Sequence, residues 1–238
     1  MSFFKPNKTK EAVQESSGNG SKYISKSGIY PGTIKIASVD VNDSGARAIN
    51  FNFEGEDGSE STFYGLKLDN NDGSENFAAK IFNRLTVIAD IEDVQDPEEE
   101  DHRIGKDNKE VTLAVLPDFT DFECIIRVQE EYSRIGAKWI KNDDGFNIRK
   151  SMVIRDFYRA DGAHAEEIVD ESEIGVKIQK DNDYASNVTY RESAKGAGDA
   201  PTAEEVAEWK ESKKSGAKPA AKKTAPKAAP KGKFAGFK

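Results

Sequence analysis

The chain has 238 residues, 36% hydrophobic and 33% charged, with a formal net charge of -8. That length holds one sizeable core, and the polar balance predicts that part of the chain stays outside it. There is no run of about 18 apolar residues and no apolar leader, and the single cysteine, Cys124, excludes an intrachain disulfide and a cysteine zinc centre, so a soluble, cytoplasmic protein with no membrane partner is expected.

Residues 1–27 read as a flexible arm, with Pro6, Gly18, Gly20 and many polar residues but little periodicity. SGIYPGTIKIASVDV predicts a first strand, bent near Pro31-Gly32. RAINFNFEG alternates and predicts a second, with Ile49, Phe51 and Phe53 on one face, and STFYGLKL predicts a third. The period then changes. After Asn71-Asp72-Gly73-Ser74, a turn and helix cap, Phe77, Ile81, Leu85 and Ile88 recur at helical spacing. Phe51, Phe53, Phe77 and Cys124 are expected in the core.

DIEDVQDPEEED is expected to be a solvated loop, and strands resume with VTLAVL, FECIIRVQEEY, RIGAKWI and FNIRKSMVIRDFY, the last two joined by KNDDG, a hairpin signal. GAHAEEIVDESEIG predicts a short helix and NVTYRE a late strand. A linker follows from about Ser193, and Thr202 to Glu205 has capping-box spacing that opens a helix through Trp209. Beyond Lys213 the Lys, Ala and Pro composition offers no apolar face and predicts disorder. The expected organisation is therefore an arm (1–27), one mainly β domain with an inserted helix (28–192), and a linker, short helix and tail (193–238).

Charge is unevenly shared. Residues 210–238 carry ten lysines and one acid, a net +9, which leaves -17 on the rest. Such asymmetry signals electrostatic work with a partner. Tools of catalysis are missing: no phosphate-cradling glycine loop, no nucleophile elbow and no zinc constellation occurs, with His102 in the acidic stretch and His164 in a Gly-Ala-rich turn. The acid clusters DVNDSG, LDNNDGSE and DPEEED fail the calcium-loop spacing and suit tight turns. No enzyme activity, metal or cofactor is expected.

Aromatic residues interleave with cations in YSRIGAKWIKNDDGFNIRKSMVIRDFYR. Arg134, Lys138, Lys141, Arg149, Lys150, Arg155 and Arg159 lie beside Tyr132, Trp139, Phe146, Phe157 and Tyr158. Rings that stack on bases beside cations that contact phosphates hold single-stranded nucleic acid. Trp139 and Phe146 lead as stacking residues, with Tyr64 and Tyr30 weaker, and Lys138, Lys141, Arg149, Arg155, Arg47 and Lys67 as backbone contacts. Strands interrupted by one helix suit a β-barrel of the oligonucleotide-binding kind, and an open sandwich fits the same signals.

The stretch GIYPGTIKIASVDVNDSGARAINFNFEGEDG, followed by LDNNDGSENFAAKIFNRL, resembles single-stranded DNA-binding proteins encoded by lytic bacteriophages over residues 28–88, with support from the hairpin at 132–159. The resemblance implies an oligonucleotide-binding barrel that coats unwound DNA in phage replication, recombination and repair, without catalysis, in the cytoplasm of an infected cell. Many such proteins end in an acidic tail with a terminal aromatic; this chain ends on lysines. Lys222, Lys223, Lys227, Lys231, Lys233, Phe234, Phe237 and Lys238 are candidates for contacting DNA, the acidic body, or a replication or transcription protein. The rival reading is an acidic adaptor that captures a host protein such as RNA polymerase through that tail. An enzyme using paired carboxylates and a divalent metal ranks third, and homo-oligomerisation is left open.

Overall fold

In the computed structural model, residues 23–104, 109–135, 148–192 and 199–215 are described. The fold is mainly β. The strands are β1 (Gly28–Val41), β2 (Arg47–Gly55), β3 (Glu60–Lys67), β4 (Glu98–Ile104), β5 (Lys109–Val115), β6 (Phe122–Arg134), β7 (Ile148–Arg159) and β8 (Val188–Arg191). The helices are α1 (Ala79–Ile88), α2 (Ala165–Val169), α3 (Val176–Asn182) and α4 (Ala203–Ser215). The chain divides into two units, Met1–Glu131 with Ser151–Thr189 and Tyr132–Lys150 with Tyr190–Lys238.

The sheet runs β3-β2-β1-β5-β4, and β6 pairs with β1, β7 and β8. Among the described residues no pairing closes it into a barrel. β1 is the strand the others share. Its first half pairs antiparallel with β6 from Gly28 opposite Val128 to Ile34 opposite Phe122, while β2 follows it from Gly32 opposite Gly55 to Val41 opposite Arg47. Its second half reaches β5 where Ser38 faces Val115.

The irregularity in β1 falls at Lys35, between Ile34 and Ile36, and not at Pro31-Gly32, which stay in register with β6. Pro31 has no N–H to offer, but its carbonyl accepts from the Glu56 N–H at 3.1 Å. Gly32 answers to crowding, because a Cβ there would lie 2.2 Å from the Glu54 carbonyl oxygen.

The core of the first unit forms where the alternation of β2 meets the helical stripe of α1. Ile49, Phe51 and Phe53 are buried, Phe51 lies 5.4 Å from the Phe157 ring, and Ile81, Leu85 and Ile88 are buried on α1. Phe119 joins Phe82 and Phe122, with ring centroids 5.3 and 6.4 Å away. Ile24, ahead of residue 28, is also buried, and its N–H donates to Ser61 Oγ at 2.8 Å. Cys124 is buried on β6, and burial pushes its thiol up to about 12.

Three expectations are corrected here. Phe77 is 79% exposed, because α1 begins only at Ala79 and the helical period does not reach back to it. Asn71 to Ser74 form a turn, with Asp72 accepting from Ser74, but the residue that leads into α1 is Asn76, whose Oδ1 accepts from the Ala78 N–H at 3.0 Å. The acidic stretch is not wholly loop either: Glu98–Ile104 is a strand, paired with β5 from Glu98 opposite Val115 to Ile104 opposite Lys109. Charged side chains suit it because it lies at the end of the pairing order, where they discourage further strand addition.

In the second unit Tyr132 is buried, its ring stacked 5.9 Å from Tyr190 and edge-on to Trp209 at 6.0 Å. The capping box of α4 is realised: the Thr202 N–H donates to Glu205 Oε2 at 2.9 Å and the Glu205 N–H donates to Thr202 Oγ1 at 3.2 Å. The KNDDG loop, the RIGAKWI segment and the tail after residue 215 lie outside the described residues.

Candidate nucleic-acid interface

Because side chains alternate along a strand, the residues between the buried positions of β2 and β3 form the opposite face. That face carries Asn50 and Asn52 on β2 and Thr62 and Tyr64 on β3, with Asn52 directly opposite Thr62. Tyr64 is 76% exposed. A register shift between Ile49 and Phe51 admits Gly65 at φ 75°, the left-handed region that glycine enters without strain. The Gly65 N–H, turned out of the ladder, donates to Asn50 Oδ1 at 2.8 Å, and Asn50 Nδ2 donates to Asp40 at 2.7 Å. Tyr64 thus directly precedes a fixed amide, and exposed Lys67 lies three residues further along β3.

The face continues into a groove of about 480 Å³ lined by Tyr23, Lys35, Ile36, Asn52, Thr62 and Arg103, with Glu54 and Glu60 also on its walls. Lys35, displaced by the bulge in β1, pairs with Asp121; both side chains are exposed. Exposed pairs of this kind are worth about 0–1 kcal/mol, so exchanging the carboxylate for a phosphate costs little. Compared with protein-family models and with curated proteins, the chain matches none.

Those residues singled out from the sequence that the structure describes are dispersed by the fold. Tyr64 and Lys67 come together on β3; Tyr30, half-buried on β1, spends its hydroxyl on the Lys26 carbonyl at 2.9 Å. Arg47 holds Asp69 through Nε at 2.7 Å and Nη2 at 3.1 Å while its side chain stays 57% exposed. Arg149 is exposed on β7. Arg155 is taken up by Gln129 Oε1 at 2.8 Å and by the buried Glu131, which fixes it as a structural cation. Trp139, Lys138, Lys141 and Phe146 lie outside the described residues, as do Lys222, Lys223, Lys227, Lys231, Lys233, Phe234, Phe237 and Lys238.

The rest of the aromatic and basic stretch is committed elsewhere. Tyr132, Phe157 and Tyr158 are buried, Arg134 Nη2 donates to both carboxylate oxygens of Glu205 at 2.8 and 2.7 Å, and Arg159 pairs with Asp161 at 2.7 Å. Interleaving of rings and cations therefore reflects core rings alternating with carboxylate-bound arginines over much of its length.

A buried ionic cluster went unseen in the sequence. His164 is fully buried; its Nδ1 accepts from the Glu166 N–H at 3.2 Å, which assigns the ring proton to Nε2, 3.2 Å from Asp156 Oδ1. Arg84 reaches Asp156 from α1 at 3.0 Å. Beside it the buried Tyr158 hydroxyl donates to Asp181 at 2.6 Å, and Lys177 donates to the same carboxylate at 2.7 Å. The partners are separated by 72 and 23 residues, so no local spacing announces them. Among the described residues no group of three or more His, Cys, Asp or Glu side chains is placed to hold a metal ion. No described helix is long and apolar enough to cross a membrane.

Proposed function

We propose that this chain is a non-catalytic single-stranded DNA-binding protein that coats unwound DNA without regard to sequence, acting in phage replication, recombination and repair on a sheet of the oligonucleotide-binding kind. The observation that carries the reading is Tyr64, 76% exposed on the polar face of β2 and β3 with Lys67 on the same strand. Oligonucleotide-binding folds use the face of their second and third strands for bases. An order of three strands, a helix and further strands, with the shared β1 serving several partners, is consistent with that architecture. Tyr64 supplies a stacking ring, Asn50, Asn52 and Thr62 supply uncharged polar contacts, and Lys67, Lys35, Arg47 and Arg103 supply cations at the margins. Uncharged contacts and stacking tolerate every base, which is what sequence-independent coating requires.

Anisotropy titration of labelled oligo-dT tests this directly. Stacking is worth about 1–3 kcal/mol per base, so Tyr64→Ala weakens binding roughly 5- to 150-fold at low salt. Lys67→Ala lowers the slope of log affinity against log salt by about 0.7. Wild-type affinity in both variants removes the β2 and β3 face from the reading. Replacing Trp209 by Phe isolates the emission of Trp139, and a change in that emission on adding oligo-dT brings the 136–147 segment into the same interface.

A second reading, an acidic adaptor that engages a host protein such as RNA polymerase, is favoured by one observation: the exposed acids of β4, Glu98, Glu99 and Asp101, at the end of the strand order. A gel-shift titration separates the two, since the adaptor retards neither single-stranded nor duplex DNA at moderate salt.

A further inference from the structure

We infer that the groove beside α1 receives the lysine-rich carboxy-terminal segment, residues 218–238, of a second copy of this chain. The groove, about 670 Å³, is lined by Leu68, Ala79, Phe82 and Val94, with Glu75 and Glu92 as acids on its walls. That volume lies within the range of sites that take up a small apolar group. Of the cations beside it, Arg47 is held by Asp69 and Lys80 Nζ lies 5.8 Å from the Phe77 ring. Two large apolar side chains stand open here, Val94 on the wall and Phe77 next to Lys80, at 36% and 79% exposure.

Charge says what covers them. From Asp90 to Asp101 the chain passing this groove carries eight acids and no base. Residues 218–238 carry seven lysines and no acid, and place Phe234 and Phe237 within the last five positions. The segment thus offers both an apolar anchor for the groove and cations for the acidic run, with seven lysines against the three that residues 1–10 place near Phe3 and Phe4. Pro219, Pro226 and Pro230 favour an extended, semi-rigid chain of about 3.1 Å per residue, which over the segment after Ser215 spans roughly 70 Å. A +7 segment on a chain whose other residues carry -15 turns the mutual repulsion of two copies into attraction, which makes a neighbouring copy its place.

The test needs no DNA, so its failure leaves the DNA-binding reading standing and the reverse also holds. Sedimentation velocity of the full chain at low salt is expected to show concentration-dependent association that excess synthetic 218–238 peptide dissolves. A groove variant, Glu92→Lys with Val94→Lys, and a tail variant, Phe234→Ala with Phe237→Ala, each remain monomeric with unchanged circular dichroism, because the altered groove residues are exposed. Mixing the two variants restores association, since one contributes an intact tail and the other an intact groove. Wild-type monomers at all concentrations, association that ignores the peptide, or variants that associate like wild type would each overturn the inference.

Discussion

Tyr158 is buried, and burial followed by its hydrogen bond to Asp181 raises its hydroxyl above the ordinary value of 10.0. Tyr158→Phe removes a hydrogen bond to a charged, buried carboxylate, and urea unfolding is expected to show a loss of about 1.5–3 kcal/mol. Burial by itself would raise Asp181, but donation from Lys177 and Tyr158 and the nearby Arg127 charge hold it below 3.8. Glu167 behaves alike: burial raises it, and the N–H groups of His164, Lys177 and Gly175 outweigh that and keep it below 4.5. A carboxyl lowered in the folded state stabilises fully above its unfolded value and loses that contribution as pH falls toward the folded one. The urea midpoint is therefore expected to be insensitive to these two groups from about pH 7 to 5 and to drop below about pH 4. Phe77→Ser should change stability by no more than about 0.5 kcal/mol, since its ring is exposed, whereas Phe51→Ala should cost about 3–5 kcal/mol. Sequence spacing gave Phe77 the same standing as Ile81, four residues on. What separates them is the start of the helix, a matter of capping that hydrophobic period does not report.

At the scale of elements, β1 decides most. It can serve β2, β5 and β6 only because its ladder is interrupted at Lys35 and because Gly32 lets β2 approach. Gly32→Ala must push the Glu54 carbonyl away from a contact of 2.2 Å, and the expected loss is about 1–3 kcal/mol, read as a lowered thermal midpoint. The opposite case is α4, whose start rests on its capping box. Thr202→Ala should cost that helix about 1 kcal/mol and speed amide exchange in its first turn. The two elements differ in legibility for one reason. The Thr202 to Glu205 box is a contact across three residues and could be read directly, as could the alternation of β2. Strand β4 could not: Glu98 to Asp101 carry no apolar alternation, and they become a strand only through β5, whose Val111 and Leu113 supply the pattern that β4 lacks.

For the whole molecule, the unequal division of charge sets the behaviour in salt. The -17 body and the +9 segment at its end attract one another's counterparts most strongly at low ionic strength, and screening over roughly 8 Å at physiological salt confines that attraction to close contacts. Self-association and oligo-dT binding are thus both expected to weaken as salt rises, and only the second to change when Tyr64 is removed.

Composition, the period-2 run in β2, the stripe Ile81, Leu85 and Ile88, the inert Cys124 and the cap of α4 follow from the order of residues alone, because each depends on neighbours a few positions apart. Which cations face solvent does not follow from it. Arg155 and Arg134 are engaged by carboxylates 24 and 71 residues distant, while Lys67 stays exposed like Tyr64, three positions before it, because the register shift at Asn50 adds a residue to β3 between them. Those outcomes belong to the tertiary structure, since an arginine's partner and a ring's exposure are set by what the folded chain brings next to them.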